Sequence, residues 1–471
     1  MNQTTFKKSS INKLFNTLLV GSTFFLPLAH ASEPANAFVG KNEWLFYNYE
    51  VLEAANADTT NISLDLIQRF NKVLAANGVS LVVVMVPVKM RIYSDQLPDD
   101  VKVNTFTAGN YDRITKALQA SRVNSVDINT AFVNSPKRNS DTPLFFKLDT
   151  HWTPTGAMLA AETIKAAIDA TPPLKGALDA TPPEAFKLAV ATRKRPSKAR
   201  DLVEQLPKNT LTFTPEMVAQ VNVTRVQPPK DDLLGNRAPS GLTLVGSSYS
   251  MDWTGFSDVL RFSLQRDILS VAVAADQGSW VGMESYLRDD SFQTKAPKLL
   301  IWELPERDMR APPDYKFRDP RYLTNNTEWL LRASAWVQST CKPSASGAKL
   351  MPSGLAANAG NLKGTKIATG PTTDSDFIEI SFDKPVDKLD YLSAMVATSA
   401  SKSVILEASG PGATTRRFTI NVPGDDAGHI LKTPLPAVGA GFTKVRIFPG
   451  KSTAFTFDGL QLCKQPDDLL S

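Results

Sequence analysis

The chain has 471 residues, 42% of them hydrophobic and 21% charged, with a formal net charge of +5. That length suffices for two or three domains with buried cores, and the composition is that of a globular protein, which excludes a fibrous, disordered or disulfide-dense chain. Charge alone marks out no partner.

Residues 1–31 differ in texture from the rest of the chain. Lys7, Lys8 and Lys13 precede an apolar stretch from Leu18 to Leu28, and Ala29-His30-Ala31 forms an A-x-A cleavage site before Ser32. This is the pattern of a secretory signal peptide, and it points to a bacterial periplasm. Losing the three leader lysines takes the charge from +5 to +2, so nucleic acid is not an expected partner. No other stretch approaches ~20 apolar residues, so no membrane span is expected in the mature chain.

In chain order, Val39 to Tyr47 reads as a glycine turn running into an aromatic-rich strand. Ser63 is placed to cap a helix whose Leu66, Phe70, Val73 and Leu74 form one face, ended by Asn77-Gly78. Leu81 to Val86 is a continuous apolar run, as expected of a strand buried on both sides. Tyr111 to Ala120 reads as a helix, and Ser125 to Ile128 as a strand. Pro154 to about Ala170 is an alanine-rich helix with Thr153 at its N-cap. Residues 172–229 are rich in Pro, Ala, Lys and Arg. They include a basic cluster at Arg193, Lys194, Arg195, Lys198 and Arg200, and read as an insertion carrying some helix.

Leu242 to Val245 and Lys298 to Trp302 are further short strands, with apolar segments Val259 to Leu264 and Ile268 to Ala274 between them. Short apolar strands alternating with helices predict an α/β domain with a mainly parallel sheet, and such sheets bind ligands at the carboxyl ends of their strands. From Ser344 onward the pattern changes to short strands between Gly/Pro/Asp turns: Phe377–Phe382, Val404–Ala408, Arg417–Val422, Lys444–Phe448 and Ala454–Phe457. That predicts a β-sandwich. The domains are therefore read as 32–343 and 344–471, after a leader at 1–31. Cys341 and Cys463 are the only cysteines, and in an exported protein they are expected to form a bridge across the second domain.

Histidine is scarce. Without the leader's His30, only His151 and His429 remain. His429 follows Gly424-Asp425-Asp426 and reads as a turn residue. His151 has Asp149 two positions before it, and in an extended segment such residues point the same way about 6.6 Å apart, so the carboxylate can buttress the ring. A serine becomes nucleophilic when a histidine takes its proton and an acid holds the right tautomer. Gly246-Ser247-Ser248 offers serines on a turn after a buried strand. Two cysteines and two histidines so far apart make no zinc site, and no EF-hand, dinucleotide or P-loop spacing occurs; neither metal nor cofactor is expected.

Leu-Asp-Thr-His-Trp-Thr-Pro-x-Gly-Ala at 148–157 and Gly-Ser-Ser-Tyr-Ser at 246–250 resemble the SGNH-hydrolase-like domain of alginate O-acetyltransferases. So do Gly-Lys-x-x-Trp-Leu-Phe at 40–46 and Val-Pro-Val-Lys at 86–89. The resemblance spans the mature chain. It implies a circularly permuted SGNH-hydrolase-like α/β domain followed by a carbohydrate-binding-module-like β-sandwich. The implied activity is acetylation of mannuronate hydroxyls on alginate through Ser248, His151 and Asp149. Ser247 stands where the usual Gly-Asp-Ser has Asp, which leaves the oxyanion hole open.

Polymannuronate and other alginate biosynthesis or export proteins are the implied partners, with an acetyl donor, protein or small molecule, that the sequence does not identify. The same residues serve an acetylesterase if water is the acceptor. A non-catalytic polymer-binding scaffold is the alternative from another class. An anionic polymer calls for cations, and Lys402, Arg416, Arg417, Lys444 and Arg446 lie on or beside predicted strands of the second domain. Tyr249 and Lys89, next to the motifs, are further candidate substrate contacts.

Overall fold

The computed structural model describes residues 36–471 apart from 208–211, 228–239, 345, 347–350, 355–365, 383, 400–402, 412, 426, 436–440 and 452–453. The expected leader and Lys402 therefore lie outside the described residues. Among those described, no helix is long and apolar enough to cross a membrane.

The α/β region runs through β1 (Ala37–Val39), β2 (Leu45–Tyr47), α1 (Ala57–Ala76), β3 (Ser80–Val86), α2 (Lys89–Ile92), α3 (Thr105–Ala120), β4 (Asn124–Val126), α4 (Ile128–Val133), α5 (Pro154–Ala170) and α6 (Pro172–Asp179). It continues with β5 (Phe186–Pro196), α7 (Asp201–Glu204), β6 (Met217–Arg225), β7 (Leu242–Gly246), α8 (Phe256–Leu264), β8 (Leu269–Ala272), α9 (Ser279–Arg288), α10 (Asp290–Thr294), β9 (Leu299–Pro305) and α11 (Asn326–Val337). Five strands form one parallel sheet in the order β4-β3-β9-β7-β8. Every residue of β7 and β9 is buried, as strands covered on both faces by helices must be.

Two sequence readings change. Ser63 is buried inside α1, which begins at Ala57; the apolar spacing marked the helix face but not its first turns. The 172–229 segment carries the short helices α6 and α7, yet its main feature is the antiparallel hairpin of β5 and β6. Apart from Phe186 its strand residues are half-buried or exposed, and their lysines and arginines gave no apolar period to read.

The remaining strands are β10 (Met351–Gly354), β11 (Ile367–Thr369), β12 (Ile378–Ser381), β13 (Asp390–Thr398), β14 (Ser403–Gly410), β15 (Ala413–Asn421), β16 (His429–Pro434), β17 (Lys444–Phe448) and β18 (Phe455–Lys464). They form two antiparallel sheets, β10-β12-β17-β14-β15 and β11-β18-β13-β16. Apolar side chains from α1, α11 and both of these sheets belong to one continuous core. Cys341 and Cys463 are bridged, with Cα atoms 5.1 Å apart.

Candidate active site

Pro154 starts α5 and Thr153 caps it, its hydroxyl accepting from the Gly156 N–H at 3.3 Å. The preceding residues form a tight hairpin rather than the extended segment expected from the i, i+2 spacing. Phe145 bridges Trp152, the Phe146 N–H donates to the His151 carbonyl, and the Thr153 N–H donates to the Leu144 carbonyl. Gly156 is obligatory in this packing, because a Cβ there would stand 2.1 Å from the Leu144 oxygen. Trp152 is fully buried, its ring edge-on to Tyr249 at 5.2 Å and tilted against Phe256 at 4.6 Å. The tryptophan thus seats the histidine hairpin on the serine turn, so the motif's apolar residues set the geometry of its polar ones.

Within the hairpin the Asp149 carboxylate turns back on its own loop. Oδ1 accepts from both the backbone N–H and the ring Nδ1 of His151, at 3.0 and 2.7 Å. Oδ2 accepts from the backbone N–H of Asp201 at 2.9 Å. Burial opposes ionisation of Asp149, but the hydrogen bond and charge of His151 outweigh it and hold the group below the ordinary carboxylate range. An ionised Asp149 requires the imidazole proton on Nδ1, which leaves the Nε2 lone pair free. Nε2 lies 2.8 Å from Ser248 Oγ. Ser248 follows β7 at the carboxyl edge of the sheet, where α/β sheets place their ligands.

Asp201 was not singled out from the sequence. Its carboxylate accepts from the N–H and hydroxyl of Thr150, at 2.7 and 2.5 Å, and stands 3.7 Å from His151 Nδ1. Burial and the charge of Asp149 raise its pKa. Asp149, His151 and Asp201 bring their donor atoms within 4.8 Å of one another, but both oxygens of each carboxylate are already hydrogen-bonded within the chain.

The structure removes Lys89 and Tyr249 as substrate contacts. Lys89 is 1% exposed, and its ammonium donates to the carbonyls of Leu45, Lys147 and Asp149 at 2.7 to 3.0 Å. Burial lowers its pKa to about 8, and all three donors of the charged form are used. It ties the Asp149 backbone to the sheet. Tyr249 is fully buried, its hydroxyl donating to the Thr150 carbonyl at 2.7 Å. The hydroxyls of Ser247 and Ser250 point away from His151, into the Glu303 carboxylate. The Ser247 N–H is spent on Glu303 as well, whereas the Ser248 N–H has no acceptor among the described residues and is available to an oxyanion.

Arg417 (β15), Lys444 and Arg446 (β17) lie in the five-stranded antiparallel sheet, paired with Glu379 and Glu407 on neighbouring strands. Arg416, also on β15, is exposed. None of these four lines the cavity beside Ser248. That cavity, of about 470 Å³, is bordered by Tyr47, Tyr49, Arg307, Tyr315 and Phe317 among others. Trp253 was missed in the sequence: 54% exposed, it sets its ring edge-on to His151 at 4.8 Å.

The protein-family model described as "SGNH hydrolase-like domain, acetyltransferase AlgX" matches residues 37–306. The probable alginate O-acetylase AlgJ of Pseudomonas fluorescens is 30% identical over 293 residues, covering 60% of this chain and 71% of that protein. Among solved structures, the O-acetyltransferase domain of Pseudomonas putida AlgJ is similar over 61% of this chain and 97% of its own, with a TM-score of 0.51 and 26% identity. Pseudomonas aeruginosa AlgX covers 91% of this chain and 94% of its own, with a TM-score of 0.62. At 16% identity that likeness is one of fold, and it includes the β-sheet region.

Proposed function

We propose a two-step acyl transfer through Ser248 for this chain, which belongs to the SGNH hydrolase-like AlgX acetyltransferase family. The protein is an O-acetyltransferase. The observation that carries the mechanism is the relay Asp149–His151–Ser248, with 2.7 Å on one side of the imidazole and 2.8 Å on the other. His151 Nε2 takes the Ser248 proton as Oγ attacks the carbonyl of an acetyl ester. The Ser248 N–H faces the charge that develops on the carbonyl oxygen. Collapse expels the donor alcohol, which takes the proton back from His151, and leaves acetyl-Ser248. A sugar hydroxyl then gives its proton to Nε2 and attacks the acetyl carbonyl, and Ser248 leaves with that proton.

The acceptor is read as a mannuronate hydroxyl of alginate, the polymer in the names of the AlgJ relatives. Trp253 supports a sugar at this mouth, since an exposed indole beside the base offers a flat apolar surface to a pyranose ring. The two regions are read as a catalytic unit at 32–343 and a polymer-holding unit at 344–471. On the second, Arg446 stacks over Phe377 at 4.7 Å and Arg417 over Phe448 at 5.5 Å. The periplasm, reached through residues 1–31, is the compartment in which such a polymer and other export proteins would be met.

The test is transfer from a chromogenic acetyl ester to oligomannuronate. Acetyl should appear on the sugar with the native protein and not with Ser248→Ala; equal transfer by both would refute the reading. Trp253→Ala is expected to raise the acceptor KM roughly fivefold, for a stacking contact of about 1 kcal/mol. Ester hydrolysis by water should stay unchanged. An equal loss in both reactions would place Trp253 in the structure and not in acceptor binding.

A further inference from the structure

One carboxylate takes no part in the relay yet holds the nucleophile's turn at three points. Glu303, in β9, is fully buried. Its Oε2 accepts from the Ser247 N–H at 2.8 Å and from the Ser250 hydroxyl at 2.8 Å, and its Oε1 accepts from the Ser247 hydroxyl at 2.9 Å. Ser247 and Ser250 stand on either side of Ser248, so the carboxylate grips the turn before and after the reacting oxygen. Room for it comes from Gly246, where a Cβ would fall 2.1 Å from Ser250 Oγ and 2.8 Å from Glu303 Oε2.

We propose that Glu303 is a positioning residue for acyl transfer, its ionised carboxylate fixing the turn that aims Ser248 Oγ at His151. This rests on the relay proposed above. Only the ionised form accepts from all three donors; a protonated carboxyl becomes a donor itself and leaves one of them with a worse partner. Burial raises Glu303 to about 7, against the hydrogen bonds from Ser250 and Ser247, which lower it. Asp308, on the turn after β9, adds to the rise. No Lys, Arg or His pairs with Glu303 among the described residues, and β3 presents Val84 opposite it. The grip therefore loosens as pH falls through the neutral range.

The test is kcat/KM for the chromogenic ester across pH. In the native chain protonation of Glu303 adds to the proton uptake that silences the relay itself, so the acid limb should be steeper than one proton gives. Glu303→Gln should lower the plateau roughly 10²-fold, the effect of a small misplacement of a reacting group, and leave a one-proton limb. Ser250→Ala, a milder change, removes a donor to the ionised form. It should therefore raise the Glu303 pKa and move the limb to higher pH. A Glu303→Gln profile of native shape, or a Ser250→Ala limb that does not move, would overturn the proposal. Infrared titration of Ser248→Ala separates this from failure of the relay. There, a carboxyl band titrating near neutrality and lost on adding Glu303→Gln supports the titration of Glu303 whatever the nucleophile is, and its absence contradicts it.

Discussion

Ser248→Ala and His151→Ala are each expected to lower acetyl transfer by roughly 10⁶-fold, and the double variant to be little worse than either. The magnitude is that of a serine relay whose members act as one unit, so that losing one forfeits what the others contribute. The geometry supplies no substitute. The nearest competing hydroxyls, Ser247 and Ser250, are both hydrogen-bonded to Glu303. The remaining described histidine, His429, starts β16 and pairs with Asp425 at 2.9 Å and Asp290 at 3.3 Å. Steady-state transfer to oligomannuronate, with circular dichroism to confirm the fold, measures the three variants. Losses that multiply in the double variant would mean that the two residues act in separate steps.

The second large effect is expected at Asp149→Asn, about 10⁴-fold in kcat by analogy with the serine-protease case. Here the two sides of the carboxylate make the reason specific. One oxygen accepts from the His151 ring and backbone, and the other from the Asp201 N–H. An amide has only one accepting end. If its NH₂ faces Asp201, two donors meet; if it faces the ring, Nδ1 must become the acceptor and the proton moves to Nε2, where it blocks the approach of Ser248. Melting temperature near that of the native protein, with kcat reduced by that order, is the expected pair of results. Activity within about tenfold of native would shift the orienting role to Asp201, 3.7 Å from Nδ1.

The contact of Asp149 with His151 was legible because histidine is rare in this chain and Asp149 stands two residues from one of the few. The spacing identified the pair, although the local shape is a hairpin loop. Pro154 and Thr153 located the start of α5 because capping is a local rule. Strands β7 and β9 were visible as the apolar runs Leu242–Val245 and Lys298–Trp302. Glu303, Asp201 and Trp253 were not legible, because nothing local to a residue tells which distant segment it will touch. Glu303 lies 56 positions from Ser247, and Asp201 51 from Thr150. Lys89 and Tyr249 misled for the same reason: a lysine and a tyrosine beside a motif read as surface groups until the fold buries them. Strand β13, Asp390–Thr398, was also missed, its alternation weakened by a bulge between Ser393 and Met395.

The central claim is that acetyl passes through Ser248, and the most direct measurement is to trap it there. The full chain is mixed with excess chromogenic acetyl ester in the absence of sugar, quenched in acid during the burst, and mapped by peptide mass spectrometry. The account predicts one acetyl group on Ser248, lost on adding oligomannuronate and never formed in His151→Ala. Acetyl on Ser247 or Ser250, or transfer to the sugar with no acetylated protein at any time, would contradict it.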